Sequence, residues 1–138
     1  MRKRFSFSKE DRLCGLTTID RLFRQGNSLM SYPLRVVWTA ESAPAEPTVR
    51  VLVSVPKKKL KHAVDRNRVK RLVREAYRLH CHDLKAEVNQ RTLSVNIAFV
   101  WLPSECLDFA KVERKMVEAL QKLRSQWNTL PEKPLIDD

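Results

Sequence analysis

Residues 56–78 read Pro-Lys-Lys-Lys-Leu-Lys-His-Ala-Val-Asp-Arg-Asn-Arg-Val-Lys-Arg-Leu-Val-Arg-Glu-Ala-Tyr-Arg. They hold ten Lys and Arg against two acids, Asp65 and Glu75, a local balance of +8. The whole chain carries +11 over 138 residues, so one sixth of it holds most of the excess charge. The second half of the stretch has a helical period. Val69, Leu72, Val73 and Ala76 recur at i, i+3, i+4 and i+7, one narrow apolar stripe. At about 100° per residue, Asn67, Arg68, Lys70, Arg71, Arg74 and Arg78 fall on the opposite arc. Such a helix docks by one face and offers a cationic face to something else. It is expected to begin near Val64 or Asp65, where an acid suits the helix dipole and can cap. It is expected to run to about Leu79, then fray or restart through His82–Val88.

Strand patterns lie on both sides of it. Upstream, Leu34, Val36 and Trp38 alternate with Arg35, Val37 and Thr39 over 31–40, with Pro33 at the strand's start or on an edge. After a loop at Glu41–Pro47, Val49, Val51, Val53 and Val55 alternate with Arg50, Leu52 and Ser54 until Pro56 stops the strand. So short a connection predicts an antiparallel hairpin. Downstream, Val95, Ile97, Phe99 and Trp101 alternate with Ser94, Asn96, Ala98 and Val100. Before the strands, Thr17 or Thr18 can cap a short helix over Ile19–Gln25, with Gly26 just past its end. After Pro103, Ser104 opens a long helix whose Phe109, Val112, Met116, Leu120, Leu123 and Trp127 form a core-facing stripe.

The element order α-β-β-α-β-α predicts an α/β (α+β) two-layer sandwich, a small sheet with helices on one face. One domain is expected over 15–128. A basic arm spans 1–14, where Phe5 and Phe7 either tuck onto the domain or belong to an RNA-contacting segment. Residues 129–138 are expected to form a loose tail. The uncovered sheet face collects Arg35, Val37, Thr39, Arg50, Leu52, Ser54, Asn96 and Ala98. That is either an ordinary solvated face or a surface on which single-stranded RNA can lie.

Composition narrows the function. A pI near 10.0 calls for a polyanionic partner, nucleic acid before an acidic membrane surface. No apolar run approaches a membrane-spanning length, and the basic N-terminus lacks the apolar core of a secretory signal. Cys14, Cys81 and Cys106 are odd in number and widely spaced, as reduced thiols of a cytoplasmic protein would be. Two glycines, Gly15 and Gly26, leave no Gly-rich phosphate loop.

Catalytic groups are harder to find. His80-Cys81-His82-Asp83 looks metal-like, but adjacent helical positions point about 100° apart and cannot all turn to one ion. The acids are scattered singly, with no two-metal pair inside one element. The cysteines have no catalytic neighbourhood. The chain reads as a binder. Like charges at Lys70–Arg74 and Arg74–Arg78 oppose the helix by a few tenths of a kcal/mol each. A sequence that keeps that repulsion is using the charge, and Arg in particular suits phosphate.

Over Ala63–Arg78 the spacing becomes specific. It resembles the protein subunit of bacterial ribonuclease P, whose signature is Arg-Asn-Arg, one residue, Lys-Arg, two residues, Arg. Here these are Arg66, Asn67, Arg68, Lys70, Arg71 and Arg74. Val53–Lys58 is similar to the family's strand and Lys-Lys pair, with Pro56 where Ser is commoner. Leu22–Gly26 resembles the family's first helix. The likeness covers roughly residues 15–125.

The resemblance implies a sandwich with a left-handed β-α-β crossover through the basic helix. It implies an accessory subunit of an endoribonuclease that removes the 5′ leader of precursor tRNA in the cytoplasm. Catalytic Mg2+ is then held by the RNA subunit, with none bound tightly by the protein. The implied partners are that RNA and precursor tRNA, with no membrane and no obligate protein partner. The six signature residues would lie near the catalytic RNA. By position, Ile19, Phe23, Arg35, Val37, Ser54 and Lys57 would line a leader cleft. Ile19 replaces a common aromatic, and Lys59–His62 is one residue longer than the commoner linker. The runner-up is a structural, ribosomal-type RNA-binding protein with no part in catalysis. A protein nuclease acting alone is the third class.

Overall fold

The computed structural model describes residues 15–127. The arm of residues 1–14, with Cys14, and the tail of residues 129–138 lie outside them. In chain order the elements are α1 (Leu16–Gln25), β1 (Asn27–Ser31), β2 (Leu34–Ser42), β3 (Thr48–Ser54), α2 (Ala63–His80), α3 (His82–Arg91), β4 (Leu93–Trp101) and α4 (Phe109–Trp127). The expected mixed α/β sandwich is present, with one strand more than the alternation indicated. The sheet order is β1-β2-β4-β3, with β1–β2 and β2–β4 antiparallel and β3–β4 parallel.

The predicted hairpin between β2 and β3 does not form, because β4 lies between them. Val95, Ile97, Ala98, Phe99 and Trp101 are inaccessible to solvent, a burial on both faces that only an inner strand receives. Alternation shows which face a residue takes, not which strand lies beside it. The connection at 43–47 crosses the end of β4 and is tied there, the Ala43 N–H donating to the Thr92 carbonyl at 2.7 Å. Two strand spacings, roughly 10 Å, are within reach of so short a segment. β1 went unseen because Asn27–Ser31 shows no clean apolar period. It is held as β2's partner through Leu29↔Val36 and Ser31↔Leu34. Its outer edge is covered by α4: Lys122 Nζ donates to the Met30 carbonyl at 2.9 Å and Ser31 Oγ to the Lys115 carbonyl at 3.2 Å.

The main core lies between the sheet and α2, α3 and α4. From α2 it takes Val69, Val73, Ala76 and Tyr77; the stripe is rotated slightly, so that Leu72 is only half-buried. α2 ends at His80 and the chain restarts as α3, as the sequence pattern allowed. The α4 stripe is placed as expected, Val112, Met116, Leu120, Leu123 and Trp127 being buried. The helix begins at Phe109 rather than Ser104, because Asp108 supplies the cap: its Oδ1 accepts the Lys111 N–H at 3.1 Å. Trp38 meets Trp127 edge to face at 6.4 Å and donates from Nε1 to Gln126 at 3.1 Å. Each fully buried Val, Leu or Ile of this layer contributes about 1.5–3 kcal/mol.

The helices do not all share one face. α1 sits on the opposite side of the sheet, where Leu22 packs with Val37 and Ala98, flanked by Ile19 and Leu52. The polar side of the strands is interrupted at Val37 and Ala98, and those two positions are what α1 needs. Thr17 and Thr18 lie inside α1, whose N-cap is Gly15 with no side-chain cap bond. Gly26 follows α1 and donates its N–H to the Leu22 carbonyl at 2.8 Å. Its φ is −74°, so the requirement for glycine is space: a Cβ there would collide with the Leu22 carbonyl and stand 2.9 Å from Val37 Cγ1.

Candidate nucleic-acid interface

The register lays the α1 side of the sheet out in rows. Met30, Arg35, Val100 and Ser54 form one row; Ser28, Val37, Ala98 and Leu52 the next; Thr39, Asn96 and Arg50 a third. α1 lies over the middle row. On its helical wheel Ile19 and Phe23 fall to one side of Leu22, and Thr18, Arg21 and Gln25 to the other. Thr18, Arg21 and Gln25 line a small cavity with Thr39 and Asn96, which fixes them beside the third row. Ile19 and Phe23 therefore face the first row, and α1 walls a trough whose floor is Met30–Arg35–Val100–Ser54. Four strands at about 4.8 Å spacing make the floor roughly 14 Å long.

The predicted cleft residues separate here. Phe23 is 43% exposed, so it is a side chain available at the trough wall and not a core residue. Ile19 is half-buried beneath it, and Arg35 and Lys57 are exposed. Ser54 is half-buried at the β3 end of the floor. Val37 does not line the trough: it is 2% exposed, covered by Leu22, and supports α1 from below. Sequence reasoning passed over Met30, because β1 was not recognised as a strand.

Beyond Ser54 the chain turns at Pro56, whose carbonyl accepts from the N–H groups of Lys59 and Leu60 at 3.0 and 3.2 Å. Leu60 is buried and pins this turn to the core. Lys57, Lys58, Lys59 and Lys61 are all exposed around it. Arg66 reaches back from the first turn of α2, its Nη1 donating to the Leu60 and Lys61 carbonyls at 3.0 and 2.7 Å. That guanidinium holds the basic turn against the helix.

The other signature residues divide by exposure. Asn67, Arg68 and Arg71 are exposed and Lys70 is half-buried; among the described residues none of the four has a side-chain hydrogen bond or ion pair. Arg74 is half-buried and is not without a partner. Arg78 forks onto Glu75, Nε to Oε1 at 3.0 Å and Nη2 to Oε2. That hydrogen bond holds the Glu75 carboxyl below the usual carboxylate range and raises the Arg78 guanidinium. The one acid on the α2 face therefore offsets Arg78 rather than Arg68 or Arg71.

The metal-like tetrapeptide is taken apart by the fold. His80 Nε2 bonds to Glu113 Oε2 at 2.8 Å, Cys81 is buried between α2 and α3, and His82 is exposed at the start of α3. No three His, Cys, Asp or Glu among the described residues come together as a metal group. Neither Cys81 nor Cys106 is in a disulfide, and the Cys81 thiol donates to the Arg78 carbonyl at 3.7 Å. No helix among the described residues is long and apolar enough to cross a membrane.

Comparison with known proteins agrees with this architecture. The family model described as Ribonuclease P matches residues 7–124. A ribonuclease P protein component of Porphyromonas gingivalis is 43% identical over 119 residues, covering 86% of this chain and 87% of its own length. One of Dictyoglomus thermophilum is 31% identical over 121 residues, covering 86% and 92%. Among solved structures, the RNase P protein of Staphylococcus aureus superimposes with a TM-score of 0.62 at 22% identity, covering 84% of this chain and 96% of that one. The Thermotoga maritima RNase P protein gives 0.62 at 23% identity, covering 80% and 96%. The structural likenesses carry the fold alone. The family model and the identity along most of the chain carry the assignment: the chain belongs to the ribonuclease P protein family.

Proposed function

We propose that the chain serves as the protein subunit of a ribonuclease P holoenzyme in the cytoplasm. It binds the catalytic RNA through α2 and the 5′ leader of precursor tRNA through the trough beside α1, and so assists removal of the leader. The observation that carries this reading is the continuity of the basic path. The trough floor ends at Ser54, the exposed lysines of residues 57–61 follow directly, and their turn is clamped to the helix that bears Arg68 and Arg71. A substrate strand in the trough and an RNA on α2 are thereby held side by side by one rigid segment.

The chemistry of the cut belongs, in this reading, to Mg2+ held by the RNA subunit. The chain's own residues bind and neutralise. Arg68, Lys70 and Arg71 meet phosphates of the catalytic RNA, with Asn67 beside them as a neutral donor. Arg35 and Lys57 meet leader phosphates, and Phe23 offers a ring on which a base can stack. Close approach of two RNAs is opposed by phosphate repulsion, and this run of cations lowers that cost, so less Mg2+ is needed.

The test is cleavage of precursor tRNA by a bacterial catalytic RNA at low Mg2+, with and without this chain. Stimulation is expected; its absence defeats the proposal. A ribosomal-type RNA binder would show affinity indifferent to leader length, and the proposed subunit affinity that grows with it.

A further inference from the structure

Five large apolar side chains are exposed among the described residues: Phe23, Met30, Tyr32, Val64 and Leu79. Single exposed apolar residues are ordinary. Three of these, however, belong to one end of the trough. Met30 opens the floor row beside Arg35 and is 53% exposed. Tyr32 is 58% exposed and stands in the β1–β2 turn, immediately beyond the Ser31↔Leu34 pair that closes the strands. Phe23 is on the wall, one helical turn before Gly26, which itself abuts Val37 and Trp38 of β2.

The backbone under this patch is fixed. Lys122 holds the Met30 carbonyl, Lys115 the Ser31 hydroxyl, and the Pro33 carbonyl accepts the Leu102 N–H at 3.0 Å. A rigid turn that presents an aromatic ring and a thioether to solvent is not explained by packing. Its setting selects the occupant. Arg35 interrupts the patch, and the chain carries +11, which suits a charged strand with flat apolar bases better than an apolar protein surface.

We propose that Met30 and Tyr32 form an outer subsite of the trough that stacks bases of the leader farthest from the cleavage point. This rests on the reading that the trough holds the leader. The Ser54 end runs into the lysine turn and α2, where the catalytic RNA is held, so the cut lies toward that end. The β1 end is the distal one. Stacking on Tyr32 is tolerant of sequence because every base has a π face, and Met30 adds a soft, adaptable contact.

The experiment measures holoenzyme affinity, with a bacterial catalytic RNA, for precursor tRNAs of stepwise longer leaders. It compares the unaltered chain with Tyr32→Ala, Tyr32→Phe, Met30→Ser and Phe23→Ala. Tyr32→Ala should weaken binding by about 5- to 150-fold for long leaders and leave short ones unchanged. Tyr32→Phe should bind like the unaltered chain, and Met30→Ser should give a smaller loss with the same length dependence. Equal loss at every leader length, or no loss from Tyr32→Ala while Phe23→Ala still weakens binding, overturns the outer subsite. If both Phe23→Ala and Tyr32→Ala are silent at every length, the trough reading itself fails. A change in self-association on Tyr32→Ala with leader affinity intact would assign the patch to a protein contact and also overturn the proposal.

Discussion

Replacing Arg68 and Arg71 by alanine should flatten the salt dependence of catalytic-RNA binding. Both side chains are exposed on α2, and among the described residues neither has an ion pair to give up. Each phosphate contact to duplex-like RNA adds about 0.9 to the slope of log K against log salt. Losing two lowers the slope by about 1.8. Over a fourfold rise in salt, about 50 to 200 mM, one contact accounts for roughly 3.5-fold in affinity and two for roughly 12-fold. The double variant should therefore be most impaired at low salt, its disadvantage shrinking about 12-fold across that range. The assay is titration of the catalytic RNA at a series of KCl concentrations and constant Mg2+. Arg124→Ala is the control, because Arg124 Nε is bonded to Glu87 at 2.7 Å between α3 and α4. Parallel lines for the double variant and the unaltered chain would refute the reasoning and make this face of α2 a merely solvated one.

Gly26→Ala should destabilise by about 1–3 kcal/mol, because its Cβ would collide with the Leu22 carbonyl and crowd the Trp38 carbonyl at 3.1 Å, and neither backbone group can yield cheaply. The denaturant midpoint measures it, and leader affinity should fall more than catalytic-RNA affinity, since α1 must shift on the sheet. Thr92 holds φ 54° and ψ 55° at the end of α3, a left-handed conformation costly for a β-branched residue. Thr92→Asn should stabilise by about 0.5–1 kcal/mol, seen as a rise of a few degrees in Tm; an unchanged or lower Tm would show that the Thr92 Oγ1 bond to the Arg91 carbonyl outweighs the strain. Glu75 has a depressed pKa in the fold, so over the window between its folded and unfolded values the unfolded chain binds more protons. Its contribution is present above the unfolded Glu value and is lost as pH falls through the folded one. Glu75→Gln should therefore reduce the acid-side slope of stability in that window and leave the slope near neutrality unchanged, as thermal melts at a series of pH values would report.

The helical periods were readable because each buried face is a stripe within one element. Val69, Val73 and Ala76, and Val112 through Trp127, needed no knowledge of what they pack against. The strand pairing was not readable. The alternation of β2 and β3 is satisfied equally by a hairpin and by an intervening strand. What decides is a non-local comparison, the burial of β4 on both faces. β1 was hidden for a related reason: Asn27–Ser31 earns its place as an edge by pairing with β2 and by two bonds from α4, and none of those partners is nearby in sequence. The same limit hid Met30 as a trough residue. Val37 was placed on the correct side of the sheet, but its cover, Leu22, comes from an element that alternation within β2 cannot report.

The basic signature illustrates a subtler limit. Its spacing identified the family, yet the six residues do not make six equivalent contacts. Arg66 is spent on two carbonyls of the lysine turn, and Arg74 already has a partner. Beyond the signature, Glu75 takes Arg78. Asn67, Arg68, Lys70 and Arg71 remain to face outward. Of the two like-charged pairs on this face, Arg74–Arg78 is the one relieved, by the Glu75 carboxylate on Arg78. A charge count along a helix thus overstates its binding capacity and understates its role in building the loop beside it. The distinction has a direct consequence for Arg66: its loss should loosen the turn carrying Lys57–Lys61 and so affect leader binding, whereas loss of Arg68 should be felt in the catalytic-RNA contact alone.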